Sequence, residues 1–417
     1  MKKADQVIFN LPDRLQNVAR YMWSTFADAT GIENDDLPAR PFVIHSSGAF
    51  PISHSFNDLL SGDIQRVATR YQLPEGLDIF RAQEPLACAF YLLNSLHEWV
   101  LPLDKYDKYG RYPYLESIQY ATNTIQVNLV QSIFDDTFQN ITGRSRTPRK
   151  SELFWSHDID YLHSAWRNDL ILAWRNRDLR TSVHLIWRAL RSPGRWNNIS
   201  EILELEKDYG IRSVFFWLAR QGKSQMSGLQ RIDHADYNFT QPSMREIWET
   251  IQKTGSRHGI HKSAFESSIT EEIMNLPHPV HINRNHFLKF RLPDHYHNIE
   301  KSGLLYDASL GFAEHFGFRN SFGRPFHPYN IKTNQPYSFV EYPLHLMDAT
   351  FQHYLGDDLH SMTRTMTEFI NQHRHDCTLG ILIHNSSINF TDEKEMAIWK
   401  QFFTDLRDFP YTIPTQL

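Results

Sequence analysis

From residue 151 onward, short apolar runs alternate with helical stretches, and this alternation constrains the fold more than anything else in the chain. Strands are predicted over 153–159 and 213–218, around Gly259-Ile260-His261 and His281-Ile282-Asn283, at 304–307 and at 379–384. Helices are predicted over 164–192, 199–209, 242–254, 270–275, 293–302 and 391–407. Strands separated by helices imply βα units and a parallel sheet, either a barrel or a doubly wound sheet. Ionisable residues recur at the predicted strand ends: Asp158, Asp160, His261, Arg284, Asp307 and His384. A (β/α) barrel carries its chemistry at that end of its strands.

Residues 1–150 have a different texture, mixing helical patterns with short strands. A strongly apolar helix is expected over 85–100 and an amphipathic one over 117–142. A turn is expected at 107–112, and the basic, polar stretch 143–151 reads as a linker. The expected organisation is a smaller α+β domain over 1–150 followed by an α/β domain over 151–417.

Composition narrows the function classes. Hydrophobic residues make up 41% and charged residues 22%, as in ordinary globular proteins. A net charge of −5 gives no basic footprint for nucleic acid. Two cysteines, Cys88 and Cys377, cannot build a disulfide framework or a cysteine-rich zinc module. The first residues lack the apolar core of a signal peptide, and no stretch approaches the roughly 18 apolar residues of a membrane span. The expected compartment is the cytoplasm. Residues 165–196 hold four tryptophans and seven arginines. A basic amphipathic helix there could lie on an anionic membrane surface, or pack on its own domain with the arginines in water.

The most informative residues are Asp158 and Asp160, at the end of the run Leu153-Phe154-Trp155. On a strand, residues two apart share a face. One carboxylate could bind a divalent metal while the other takes a proton from the metal-bound water. The same spacing occurs in turns and helix N-caps, so the pair alone leaves both readings open. Taken singly, His261 and His384 could be core histidines, Arg284 a surface ion pair and Asp307 a loop cap.

The order of the motifs resembles the polysaccharide deacetylase family, of the carbohydrate esterase family-four type with the NodB-homology fold. Asp158-Ile159-Asp160 resembles its paired-aspartate motif, and Gly259-Ile260-His261-Lys262-Ser263 its metal-histidine motif. Arg284-Asn285-His286-Phe287 resembles the arginine motif, with His286 where the family has proline. Tyr306-Asp307-Ala308-Ser309-Leu310-Gly311 and the 379–384 run ending in His384 resemble the last two. The resemblance spans about 150–405 and implies a distorted (β/α) barrel. It also implies a hydrolase that removes an acyl group, acetyl being favoured, from an N-acylated sugar or polysaccharide. Asp158 would be the base, oriented by Arg284. Asp160 and His261 would be metal ligands and His384 the general acid, with Asp307 among the catalytic residues. Zinc is the favoured ion for a His/Asp site. The family's second metal histidine falls four residues after the first, where this chain has Phe265. His286 is the favoured substitute, with His157, His258 and solvent as alternatives. Phe265 equally suits a catalytically idle module that binds a glycan or a protein, and hydrolysis of a non-sugar C–N bond is a third reading.

Overall fold

Strand β1, Glu152–Ile159, is buried along its whole length after the first residue. Its neighbour β2, Ser213–Leu218, is buried throughout. Strands covered on both faces read as apolar runs, as β2 does after Ser213 and β1 does over Leu153-Phe154-Trp155. Six more strands complete the sheet: β3 Arg257–Lys262, β4 Ile282–Asn285, β5 Tyr306–Asp307, β6 Val340–Glu341, β7 Leu344–Met347 and β8 Thr378–Leu382. The order is β6-β5-β4-β3-β2-β1-β8-β7, and every pairing is parallel. Strands β6 and β7 occupy opposite edges, yet only Tyr342 and Pro343 separate them in sequence. Three residue steps span at most about 11 Å. The sheet must therefore curl until its edges stand side by side, as an eight-stranded barrel open between β6 and β7.

The computed structural model describes residues 7–38, 41–163, 197–225, 231–233, 235–415 and 417, with six further positions between 164 and 196. Apart from those six, the segment expected as a helix over 164–192, and its membrane-facing reading, lie outside the described residues. Among the described residues no helix is long and apolar enough to cross a membrane.

Helices Ile199–Asp208, Pro242–Lys253, Ile269–Ile273 and Asp294–Ser302 connect successive strands from β1 to β5. Their ends follow from local chemistry. Proline opens Pro242–Lys253, where its missing N–H costs nothing. Ser268 and Glu271 form a capping box on Ile269–Ile273. Leu359–Gln372 joins β7 to β8, and Glu393–Leu406 follows β8.

Side-chain parity along the strands separates two layers. Trp155 of β1 points outward onto Phe402 and Phe403, with ring centroids 6.1 and 5.2 Å away. Phe154, Val214, Phe216, Ile282, Tyr306 and Ala308 form a separate cluster on the inner face. Gly259 is required there: a Cβ would stand 2.6 Å from the Phe216 ring and 2.9 Å from Ile282.

Residues 7–142 are mainly helical, with a two-stranded parallel pair, Val7–Phe9 and Phe42–Ile44. Helices Asp13–Thr30, Pro85–Leu93 and Leu129–Thr142 pack with one another and on later residues. Phe134 meets Phe322, and Phe90 meets Tyr329. Arg319 makes a two-pronged pair with Glu98, at 2.9 and 2.7 Å, inside this contact. Two expected helices are broken. The 85–100 stretch stops at Leu93, and Ser95 takes a left-handed φ of 48° before a 3-10 turn. The 117–142 stretch is interrupted after Ala121, where Asn123 has φ 53°.

Candidate metal centre

The parity that builds the barrel interior also selects the site. Even positions 154, 156 and 158 of β1 face inward, and Asp160 continues the series. Gly259 and His261 do so on β3, and Ile282 and Arg284 on β4, with His286 following. His261 lies opposite Arg284 in the strand register.

Three of these side chains converge at the strand ends. One ligand atom each from Asp160, His261 and His286 lies within 4.8 Å of the others. His261 Nε2 is 3.4 Å from Asp160 Oδ1 and 3.4 Å from Asp158 Oδ2. His286 Nε2 is 3.7 Å from Asp160 Oδ2. A tetrahedral ion with ligand bonds of about 2.1 Å spaces its donors about 3.4 Å apart, so the donor set fits a divalent cation. Asp160 Oδ1 is enclosed yet accepts no well-formed hydrogen bond, as suits an atom meant for an ion. His261 Nδ1 lies 2.9 Å from the Arg284 carbonyl. Donation there fixes the tautomer and leaves Nε2 with its lone pair toward the centre.

The charges are strongly coupled. Burial disfavours the Asp160 carboxylate, but His286 and His261 hold its pKa well below the usual range. Burial also opposes charge on His261, and Asp158 and Asp160 overcome it to raise that pKa. At His286 burial wins over Asp160 and lowers the pKa, so a neutral imidazole is favoured, the form that ligates a metal.

Asp158 is held from the side. Arg284 Nη1 donates to Asp158 Oδ1 at 3.0 Å and to Ser156 Oγ at 2.8 Å, while its Nε donates to the Ala308 carbonyl at 2.9 Å. The guanidinium lies 4.3 Å over the Phe216 ring. On the other flank His384 Nε2 is 3.9 Å from Asp160 Oδ2. Its Nδ1 is 2.6 Å from Asp348 Oδ1, and its backbone N–H donates to Asp348 Oδ2 at 2.8 Å. Burial works against the charged ring, yet Asp348 pushes the His384 pKa up to about 10. Asp158, His261 and His286 are buried, whereas the side chains of Asp160 and His384 remain 19% and 18% exposed. Those two line the opening to solvent.

Asp307 lies apart from this grouping. Its carboxylate accepts from Asn283 at 2.7 Å and Ser309 at 3.0 Å, and is 2.7 Å from His295 Nε2. It braces β4 and β5 from the outer face of the sheet, against helix Asp294–Ser302. Of the alternative third ligands, His157 has the wrong parity: it faces outward between Glu206 and the Ile383 carbonyl. His258 is stacked on Trp248 and bonded to the Trp217 indole. Phe265 lies beneath the Arg220 guanidinium, 4.9 Å away. Asp348 is the site residue whose role sequence reasoning left unassigned. Its signal was an aspartate directly after the short run Leu344-His345-Leu346-Met347, but four residues are too few to declare a strand. Ser156 was also missed.

No family model matches the sequence, and no curated protein matches it. Among solved structures, a Mycobacterium smegmatis protein described as a "putative polysaccharide deacetylase" is similar, with 14% identity and a TM-score of 0.37. The match covers 62% of this chain and 84% of that one.

Proposed function

We propose that the chain is a metal-dependent hydrolase that removes an acyl group, favoured as acetyl, from the nitrogen of an N-acylated sugar or polysaccharide. One observation carries the reading: Asp160, His261 and His286 converge beside a second carboxylate, Asp158, and a histidine–aspartate pair, His384 and Asp348. The sugar assignment rests on the order of the sequence motifs.

Zinc is the favoured ion; when bound, it would supply a water of lowered pKa and polarise the acyl oxygen. The chain's own residues would do the rest. Asp158 takes the proton from the attacking water. Arg284 holds the Asp158 carboxylate and fixes which oxygen faces the site. His384, protonated by virtue of Asp348, gives a proton to the departing amine nitrogen. Asp307 supports β4, which carries Arg284.

The test is metal analysis of the purified protein together with acetate release from N-acetylated chito-oligosaccharides. About one zinc per chain is expected, lost in Asp160→Ala and in His261→Ala, with acetate release abolished by a chelator and restored by Zn2+. Unchanged metal affinity in both variants would remove the proposed centre. Stoichiometric zinc without acetate release would leave the centre and reject the substrate.

A further inference from the structure

His286 is held by a turn that few sequences would adopt unaided. Phe287 has φ 59° and ψ 12°, and Leu288 has φ 50°. Two consecutive bulky residues in the left-handed region persist only where the surroundings over-determine them. One side of the turn is closed locally, by Asn285 Nδ2 donating to the Lys289 carbonyl at 2.9 Å. The other side is closed from far away in sequence.

Arg111 provides that closure. Its Nη1 donates to the Phe287 carbonyl at 3.3 Å, across 176 residues of sequence. Its Nη2 donates to the Tyr354 hydroxyl at 3.1 Å. The arginine is itself clamped: Nε donates to Asp107 Oδ2 at 2.7 Å, and the backbone N–H groups of Tyr109 and Arg111 both donate to Asp107 Oδ1 at 2.8 Å. Gly110, with φ 77°, lets this turn close. Tyr109 stacks on Phe287 with centroids 5.7 Å apart and planes at 26°, and the Arg111 guanidinium covers Tyr109 at 4.7 Å. The Phe287 ring in turn lies 4.3 Å from the His286 ring. Only 5% of the Arg111 side chain is exposed, so its bonds are little diluted by water.

We propose that Arg111 is a positioning residue for the metal centre: held by Asp107, it fixes the Phe287 carbonyl and ring and thereby aims His286 at Asp160. The inference rests on the metal reading above. It makes residues 107–111 part of the support of the site, although they lie far in sequence from every motif.

A double-mutant cycle on Zn2+ affinity, read by competition with a chelating dye, tests it. Arg111→Ala should weaken Zn2+ binding by about 10- to 100-fold, the usual scale for an outer-shell partner. In a His286→Ala background the same change should cost less than about twofold, because the group it acts through is gone. Equal losses in both backgrounds, or none in the native protein, overturn the positioning role while leaving the metal reading intact. A native protein that binds no Zn2+ overturns both. If Arg111→Ala does not fold, Tyr109→Ala serves in the same cycle, since it removes only the ring stacked on Phe287. A loss of about tenfold that disappears with His286→Ala supports the proposal, and an additive loss or no loss rejects it.

Discussion

Arg284 and Asp158 are joined by a 3.0 Å hydrogen bond between side chains that solvent barely reaches. A charge-assisted bond in such a place fixes the direction of the carboxylate. Asp158→Asn retains the shape and loses the base. It should keep its zinc and lose about 100-fold or more in rate, the usual scale for removing a general base. Zinc content and acetate release on one preparation check this. Full activity in a zinc-loaded variant would make Asp158 structural.

The His384–Asp348 pair separates bond types. Asp348→Asn removes the carboxylate that raises the His384 pKa. Amide substrates, whose amine must be protonated to leave, should slow by about 100-fold. Activated aryl esters, which leave unaided, should slow little. Equal loss on both substrates would mean that the pair positions the metal instead of donating a proton.

Glu98 and Arg319 tie the first 150 residues to the rest of the chain. Glu98→Gln leaves a buried guanidinium without its counter-charge. Breaking one partner of a buried pair costs about 3–5 kcal/mol, so urea unfolding should show a loss of that size. A shift under about 1 kcal/mol would place the pair in the weak class of exposed ion pairs.

Glu84 predicts part of the acid response. Burial disfavours its charge, but hydrogen bonds from Ser53, Tyr71 and Ser55, and His54 alongside, lower its pKa below the ordinary 4.5. Tyr71 donates at 2.8 Å and the Ser55 N–H at 3.2 Å. A folded-state pKa below the unfolded one stabilises above the unfolded value, and that stabilisation is lost as pH falls through the folded value. The stability gap between the native protein and Glu84→Gln should be full at neutral pH and shrink below about pH 4.5. Urea midpoints across that range check it, and a gap independent of pH would count against it.

Much of this architecture was legible because parallel strands buried on both faces write themselves as apolar runs. β1, β2 and the Gly-Ile-His step of β3 were placed closely for that reason. Asp158, Asp160, His261, Arg284 and His384 were readable as strand-end residues and His286 from its place in the arginine motif, and they do lie together. Asp307 also sits at a strand end, but it faces outward, where Asn283 and His295 take up its carboxylate. β6 has two residues and β7 four, too few to display a period. Asp348 went without a role because its strand was invisible. The breaks at Ser95 and Asn123 are set by positive φ angles; asparagine is enriched in that region and hints at the second break, whereas serine does not announce the first. The brace from Arg111 depends on a contact 176 residues long, which no local pattern encodes.

The position of β1 in the sheet has a consequence for how the site comes into being. β1 lies between β2 and β8, and the Ser156 hydroxyl donates to the Ile381 carbonyl across 225 residues. Leu153 also exchanges backbone hydrogen bonds with Pro410 and Thr412. Until those distant segments arrive, the strand bearing both aspartates has an unpaired edge, and His384 is not yet beside them. Closures of such long range are slow, and an open strand edge invites pairing with another chain. During refolding, metal capture should therefore trail the appearance of helix, and the interval between the two is when the chain is most exposed to aggregation.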